Sequence, residues 1–120
     1  MHITKISDVV IVHPVGELNI ARVTDLEQVF FDLVRQGSHK ILLDMTLVDH
    51  LHYMNVMRLV QIAQILRKHQ GDLRLVGLNE SNGYIIKFTG GQNVLKCFPS
   101  LSSGILSFYN PWSEESVAVH

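Results

Sequence analysis

The stretch Lys40-Ile41-Leu42-Leu43-Asp44-Met45 decides the fold of this chain. It is a short, nearly continuous apolar run, which is typical of a central strand that is covered on both faces of a parallel sheet. Similar runs lie upstream at residues 9–15 and downstream at residues 73–78. We therefore expect a sheet that is built around residues 40–45.

Amphipathic helices are predicted between these strands, because apolar residues there recur every three or four positions. The alternation of strands and helices predicts an α/β fold with a mostly parallel sheet of four to five strands and about four helices. We expect helices over residues 21–36, 55–69, 80–89 and 101–109, additional strands at 2–6 and 95–99, and a connection at 46–53.

Composition indicates one soluble domain. The chain has 120 residues, of which 47% are hydrophobic, and a net charge of -1. We expect a single domain over residues 1–110 and a flexible tail over 111–120. The near-neutral charge gives no reason to expect nucleic-acid binding. One cysteine, no signal-peptide pattern and no apolar run of about 20 residues predict a cytoplasmic protein that does not insert into a membrane.

No catalytic set is found in the sequence. It lacks a nucleophile elbow, a phosphate-binding glycine loop and a zinc-protease motif. Cys97 lies in an apolar stretch, with no neighbour in the sequence that would lower its pKa. The sequence therefore predicts a binding module, not an enzyme, and no cofactor.

Three segments carry a resemblance to a known family. They are Val15-Gly16-Glu17-Leu18, Ile41-Leu42-Leu43-Asp44-Met45-Thr46 and Leu75-Val76-Gly77-Leu78-Asn79. In this order and spacing, over about residues 4–110, the chain resembles the STAS domain, the family of anti-sigma-factor antagonists. The resemblance implies the STAS (SpoIIAA-like) fold and regulation through protein binding.

The Gly16-Glu17-Leu18 element also has a direct physical interpretation. Glycine lets the chain leave a strand with backbone angles that other residues avoid. We expect Leu18 to point into the core, and Glu17 either to hold the loop or to face a partner. An ordinary turn is the alternative interpretation.

The phosphorylation motif of the family is degenerate in this chain. Relatives carry an Asp-Ser-Ser-Gly-like sequence at the start of the second helix, where a partner kinase phosphorylates a serine or threonine. The resemblance places this motif on His52-Tyr53-Met54-Asn55, with Tyr53 at the position of the phosphorylated residue. A serine/threonine kinase would therefore find no substrate hydroxyl at Tyr53, and the charge switch that phosphate provides would be absent.

The residues that replace the motif are large, and aromatic residues and methionine are enriched in interfaces. We expect a partner-binding surface made of His52, Tyr53, Met54, Asn55, Met57 and Arg58. The alternative is that Met54 and Met57 fill the core. His50 and His52 with Asp49 provide too few ligands for us to expect a metal site.

The expected partner is a protein, and the resemblance suggests a kinase-like anti-sigma factor. Other functions remain open at this point. The chain could be a structural or regulatory STAS subunit of a transporter, a self-associating subunit such as a homodimer, or a sensor of a small ligand bound beneath the loop at residues 46–55.

Overall fold

The computed structural model describes residues 1–109, so the tail predicted at 111–120 lies outside the described residues. Within them the chain forms seven strands, four α-helices and two short 3-10 turns. The elements are β1 (His2–Ile6), β2 (Val9–His13), β3 (Gly16–Leu18), α1 (Ile20–Arg35), β4 (Lys40–Asp44), β5 (Val48–Leu51), a 3-10 turn (Tyr53–Asn55), α2 (Val56–Arg67), β6 (Asp72–Val76), α3 (Glu80–Phe88), a second 3-10 turn (Gly91–Asn93), β7 (Lys96–Phe98) and α4 (Leu101–Ser107).

The main sheet has five strands in the order β1-β2-β4-β6-β7. Strand β4 lies in the middle, between β2 and β6, as its apolar sequence predicts. The four strands β2, β4, β6 and β7 are parallel, and only the edge strand β1 runs antiparallel to its neighbour. The predicted α/β fold with a mostly parallel sheet is confirmed.

Helices cover both faces of this sheet. The larger core contains buried residues of α1, α2 and α3 together with Val10 and Val12 of β2. The other face is covered by α4, whose Ile105 packs with Val9, Leu42 and other strand residues. Because β2, β4, β6 and β7 are parallel, the loops that follow their carboxyl ends gather at one edge of the sheet.

A second, two-stranded sheet corrects one expectation. Residues 46–53 were expected to be a connection, but they contain β5, which pairs in parallel with β3. Strand β3 begins at Gly16, whose φ of +87° strongly favours glycine, and Leu18 is fully buried as predicted. This small sheet joins the start of α1 to the segment that leads into α2.

Candidate functional site

The candidate site lies where β5 leads into α2. His52 follows β5, and Tyr53–Asn55 form a 3-10 turn before α2 begins at Val56. This is the segment on which the resemblance to the family is expected to place the phosphorylation motif.

Three large apolar side chains of this segment point outward. Tyr53, Met54 and Met57 are 64%, 54% and 53% exposed, respectively. The alternative in which the two methionines fill the core is therefore wrong. Exposed clusters of aromatic residues and methionine are characteristic of surfaces that bind another protein. We call Tyr53, Met54 and Met57 the apolar patch.

Asn55 does not belong to this surface. Its side chain is 1% exposed, and its amide nitrogen donates to the carbonyl of Leu18 at 3.3 Å. The expectation that Asn55 contacts a partner is therefore wrong. The amide group holds the turn against the end of β3, since a buried polar group requires an internal hydrogen-bond partner.

The side chain of Arg58 also binds groups within the domain. Its guanidinium forms an ion pair with Glu27 and donates to the hydroxyl of Thr24 at 2.8 Å and to the carbonyl of Ile20 at 3.2 Å. The ion pair with Glu27 raises the pKa of Arg58 above its usual value. Arg58 therefore ties α2 to α1, and its charge is paired with Glu27 within the domain.

The histidines of the site form a linked pair. The rings of His50 and His52 meet edge to face with their centroids 4.7 Å apart, so both lie on one side of the segment as expected. The Nε2 atom of His52 is 2.6 Å from the Oε1 atom of Glu17. Glu17 therefore holds the loop, one of the two roles expected for it. In residues 1–109 no group of three or more His, Cys, Asp or Glu side chains could hold a metal ion.

Two asparagines of the α3 segment fix the backbone of β5. Asn82 is fully buried, and its Oδ1 atom accepts a hydrogen bond from the backbone N–H of Leu51 at 2.9 Å. Asn79 caps α3 and donates to the carbonyl of Asp49 at 3.2 Å. The apolar patch therefore follows a rigidly held strand, which reduces the entropy lost when a partner binds.

Hydroxyl-bearing residues are scarce along the segment of sequence that carries the site. From Leu47 to Glu80 the sequence contains no serine and no threonine, and Tyr53 carries the only hydroxyl group of that segment. The nearest threonine before it, Thr46, donates its hydroxyl to the Oδ1 atom of Asp44 at 2.5 Å.

A chain of polar side chains runs from the ends of β4 and β2 to the middle of β1. Asp44 accepts from Thr46 and lies 2.9 Å from the Nδ1 atom of His13, whose Nε2 atom lies 3.0 Å from the hydroxyl of Thr4. Burial alone would raise the pKa of Asp44, but hydrogen bonds from Thr46 and His13 lower it below its usual value.

Burial raises the pKa of Cys97 to about 11, consistent with the absence of an activating neighbour in the sequence.

Two exposed aromatic residues of α3 were missed by the sequence analysis. Tyr84 and Phe88 are 67% and 85% exposed. They lie one turn apart on the side of α3 opposite the buried Ile86. Their spacing of four residues was the available signal, because residues at this spacing share one face of a helix.

Comparison with known proteins agrees with this architecture. The model of the STAS domain family matches residues 1–104. No curated protein matches the chain. Within residues 1–109, no helix is both long enough and apolar enough to cross a membrane.

Solved structures share the fold. A putative anti-sigma factor antagonist from Thermotoga maritima is 24% identical, with a TM-score of 0.83 over 91% of this chain and 94% of that one. An anti-sigma factor antagonist from Mycobacterium paratuberculosis is 19% identical, with a TM-score of 0.80 over 91% and 92% of the two chains. The murine anion transporter Slc26a9 is 21% identical, with a TM-score of 0.71 over 88% of this chain and 18% of that one. The family match over most of the length and the observed fold lead to one conclusion: the chain belongs to the STAS domain family.

Proposed function

We propose that this STAS domain is a non-enzymatic, cytoplasmic regulator that binds a kinase-like anti-sigma factor through the apolar patch. The observation that carries this proposal is the exposure of Tyr53, Met54 and Met57, side by side at the start of α2. Full burial of one such side chain contributes about 1.5–3 kcal/mol. A partner that covers all three would gain a large part of the binding energy of an ordinary protein complex.

We also propose that this binding is not switched off by phosphorylation. A serine phosphate would add nearly two negative charges at the N-terminus of α2 and would repel a tightly packed partner. The segment from Leu47 to Glu80 has no serine or threonine to carry it. The hydroxyl of Tyr53 stands several ångströms farther from the backbone than that of serine, so a kinase shaped for serine would not align with it. The domain would then stay competent for binding in the presence of ATP.

The test is a binding measurement with the purified kinase-like anti-sigma factor encoded in the same genome. We expect Tyr53→Asp and Met57→Glu each to weaken binding at least about tenfold, because each places an unpaired charge in an apolar contact. The matched control is Gln70→Glu, an exposed position beyond the far end of α2, which should change affinity less than about twofold. Unchanged capture by both patch variants would overturn the proposal.

Phosphorylation is tested in the same experiment. After incubation of the complex with ATP, we expect the intact mass of the bound domain to stay unchanged and the complex to persist on a sizing column. Release of the domain together with a mass gain of one phosphate would contradict the second part of the proposal.

A second candidate function is a regulatory subunit of a transport assembly. It is favoured by the likeness of the fold to part of the anion transporter Slc26a9. Light scattering of the purified domain with and without the anti-sigma factor separates the two candidates. A stable homodimer that does not bind the anti-sigma factor would favour the second one.

A further inference from the structure

We infer that the docking surface extends from the apolar patch onto β5 and α3, and that the partner presents an apolar ridge edged by lysine and arginine. This inference rests on the proposed function and specifies the chemistry of the partner. Two observations support it: a row of exposed carboxylates beside the apolar patch, and a pair of exposed aromatic rings on α3. We call Glu17, Asp49 and Glu80 the acidic stripe.

The strand register and one hydrogen bond bring the acidic stripe together. The β3–β5 register pairs Gly16 with Val48 and Glu17 with His50, so Asp49 is the residue that the register skips, as in a β-bulge. Asn79 donates to the backbone carbonyl of Asp49 at 3.2 Å, and Glu80 follows Asn79 as the first residue of α3. All three acidic residues are exposed. The backbone positions of the three residues therefore follow one another from β3 across β5 to the start of α3, next to the segment that carries Tyr53.

Most of this negative charge is not neutralised within the domain. Asp49 and Glu80 form no ion pair with any residue of the described range 1–109. Glu17 contacts His52, which is charged only when protonated. Arg58 does not offset the stripe, because its charge is already paired with Glu27.

The basic residue of α3, Lys87, lies away from the acidic stripe. Lys87 is exposed and lies seven residues after Glu80, which corresponds to about 10 Å along the helix axis. The end of the docking surface at β5 is therefore acidic, and the opposite end carries the positive charge of Lys87.

Tyr84 and Phe88 extend the apolar part of the surface. They follow Glu80 at intervals of four residues, so the three side chains share one face of α3. A phenylalanine that is 85% exposed keeps a large apolar area in water, and a partner that covers it would remove that cost. The same helix face thus presents a carboxylate followed by two aromatic rings.

These charges determine what the surface accepts. A carboxylate that is covered by a partner loses its hydration and needs a cation or hydrogen-bond donors in return. Lysine and arginine supply both, and their attraction to the stripe also accelerates the first encounter. An acidic partner would be repelled at the same positions. The occupant that fits is therefore a protein surface with an apolar ridge and a basic edge.

The experiment measures association and dissociation rates for the purified anti-sigma factor. The variants Asp49→Lys and Glu80→Lys should each lower the association rate constant about tenfold at low salt, with the difference shrinking near 0.5 M salt. Asp32→Lys is the matched control, with the same charge change on α1, and should have less than about a twofold effect.

A second pair of variants tests the aromatic rings. Phe88→Ser should raise the dissociation rate constant about tenfold. Leu106→Ser is its control, since Leu106 is also exposed but lies on α4, across the sheet. Melting curves of all variants show whether the domain stays folded.

The outcomes separate this inference from the proposed function. If Tyr53→Asp abolishes binding but the charge reversals and salt leave the association rate unchanged, the basic edge of the partner is wrong and the proposed function stands. If Glu80→Lys accelerates association, the partner has an acidic edge and the inference is overturned. If Tyr53→Asp has no effect either, both the inference and the proposed function fail.

Discussion

The buried side chain of Asn82 is hydrogen-bonded at both ends to β5: its Oδ1 atom accepts from Leu51 N–H at 2.9 Å, and its Nδ2 atom donates to Val48 C=O at 3.0 Å. Through this one amide, α3 determines where β5 ends and where the exposed segment after it begins. The stability of the fold and the position of the candidate site therefore depend on the same residue.

We expect Asn82→Ala to lower the free energy of unfolding by about 2–4 kcal/mol, because it leaves a buried donor and a buried acceptor without partners. Urea unfolding measures this loss. The control Asn93→Ala, at an exposed position, should change the free energy by less than about 0.5 kcal/mol. A loss of similar size in both variants would contradict the structural role of Asn82.

The contact between Glu17 and His52 should matter little for stability. Both side chains are partly exposed, and ion pairs of this kind contribute less than about 1 kcal/mol. We therefore expect Glu17→Gln to leave the urea midpoint almost unchanged while it slows association with the proposed anti-sigma-factor partner. A large drop in the midpoint would show that Glu17 acts mainly as a structural residue.

Asp44 should make the stability of the domain depend on acid pH. Burial opposes ionisation, but hydrogen bonds from Thr46 and His13 lower its pKa below the usual value of 3.8. Because the folded-state pKa lies below the unfolded-state pKa, the ionised carboxylate stabilises the fold above the unfolded value. This contribution is lost as the pH falls through the folded value.

We expect Thr46→Val to raise the pKa of Asp44 toward its ordinary value, since it removes the hydroxyl that donates at 2.5 Å. An NMR titration of the carboxyl carbon measures the change. Thr24→Val removes a hydroxyl from α1 and should leave the pKa of Asp44 where it is. An unchanged pKa in Thr46→Val would show that this hydroxyl does not stabilise the carboxylate.

Cys97 should react slowly with alkylating reagents. With a pKa of about 11, only about 0.1% of the thiol is ionised at pH 8. We expect iodoacetamide to modify the folded domain about 100-fold more slowly than free cysteine, and the difference to disappear in 6 M guanidinium. Rapid modification of the folded domain would contradict the raised pKa that partial burial gives Cys97.

The main elements of the fold were predictable because the pattern of apolar residues within each one indicates which of its faces are buried. The apolar run at Lys40–Asp44 marks the central strand, and the stripe along α2 marks a buried helix face. The small sheet of β3 and β5 was not predicted, because its strands are three and four residues long and are stabilised by a pairing between distant segments. Local periodicity carries no signal for such a pairing.

The composition of the candidate site was predictable only in part. Tyr53, Met54 and Met57 are exposed as the proposed surface requires, whereas Asn55 and Arg58 are held by groups within the domain. Those groups, the carbonyl of Leu18 and the carboxylate of Glu27, lie 37 and 31 residues earlier in the chain. The sequence gives the identity of a polar side chain but not its surroundings. It therefore could not tell whether Asn55 and Arg58 face solvent or bind a group within the domain.

The sequence by itself determined the order of the four helices and of the strands of the main sheet along the chain, the family, and the absence of serine and threonine between Leu47 and Glu80. These are properties of neighbouring residues or of residue identity. Only the tertiary structure decided which side chains of the loop face outward, and that the backbone positions of Glu17, Asp49 and Glu80 form one row. The physical reason is that such a row depends on strand register and on hydrogen bonds between segments that are about 30 residues apart.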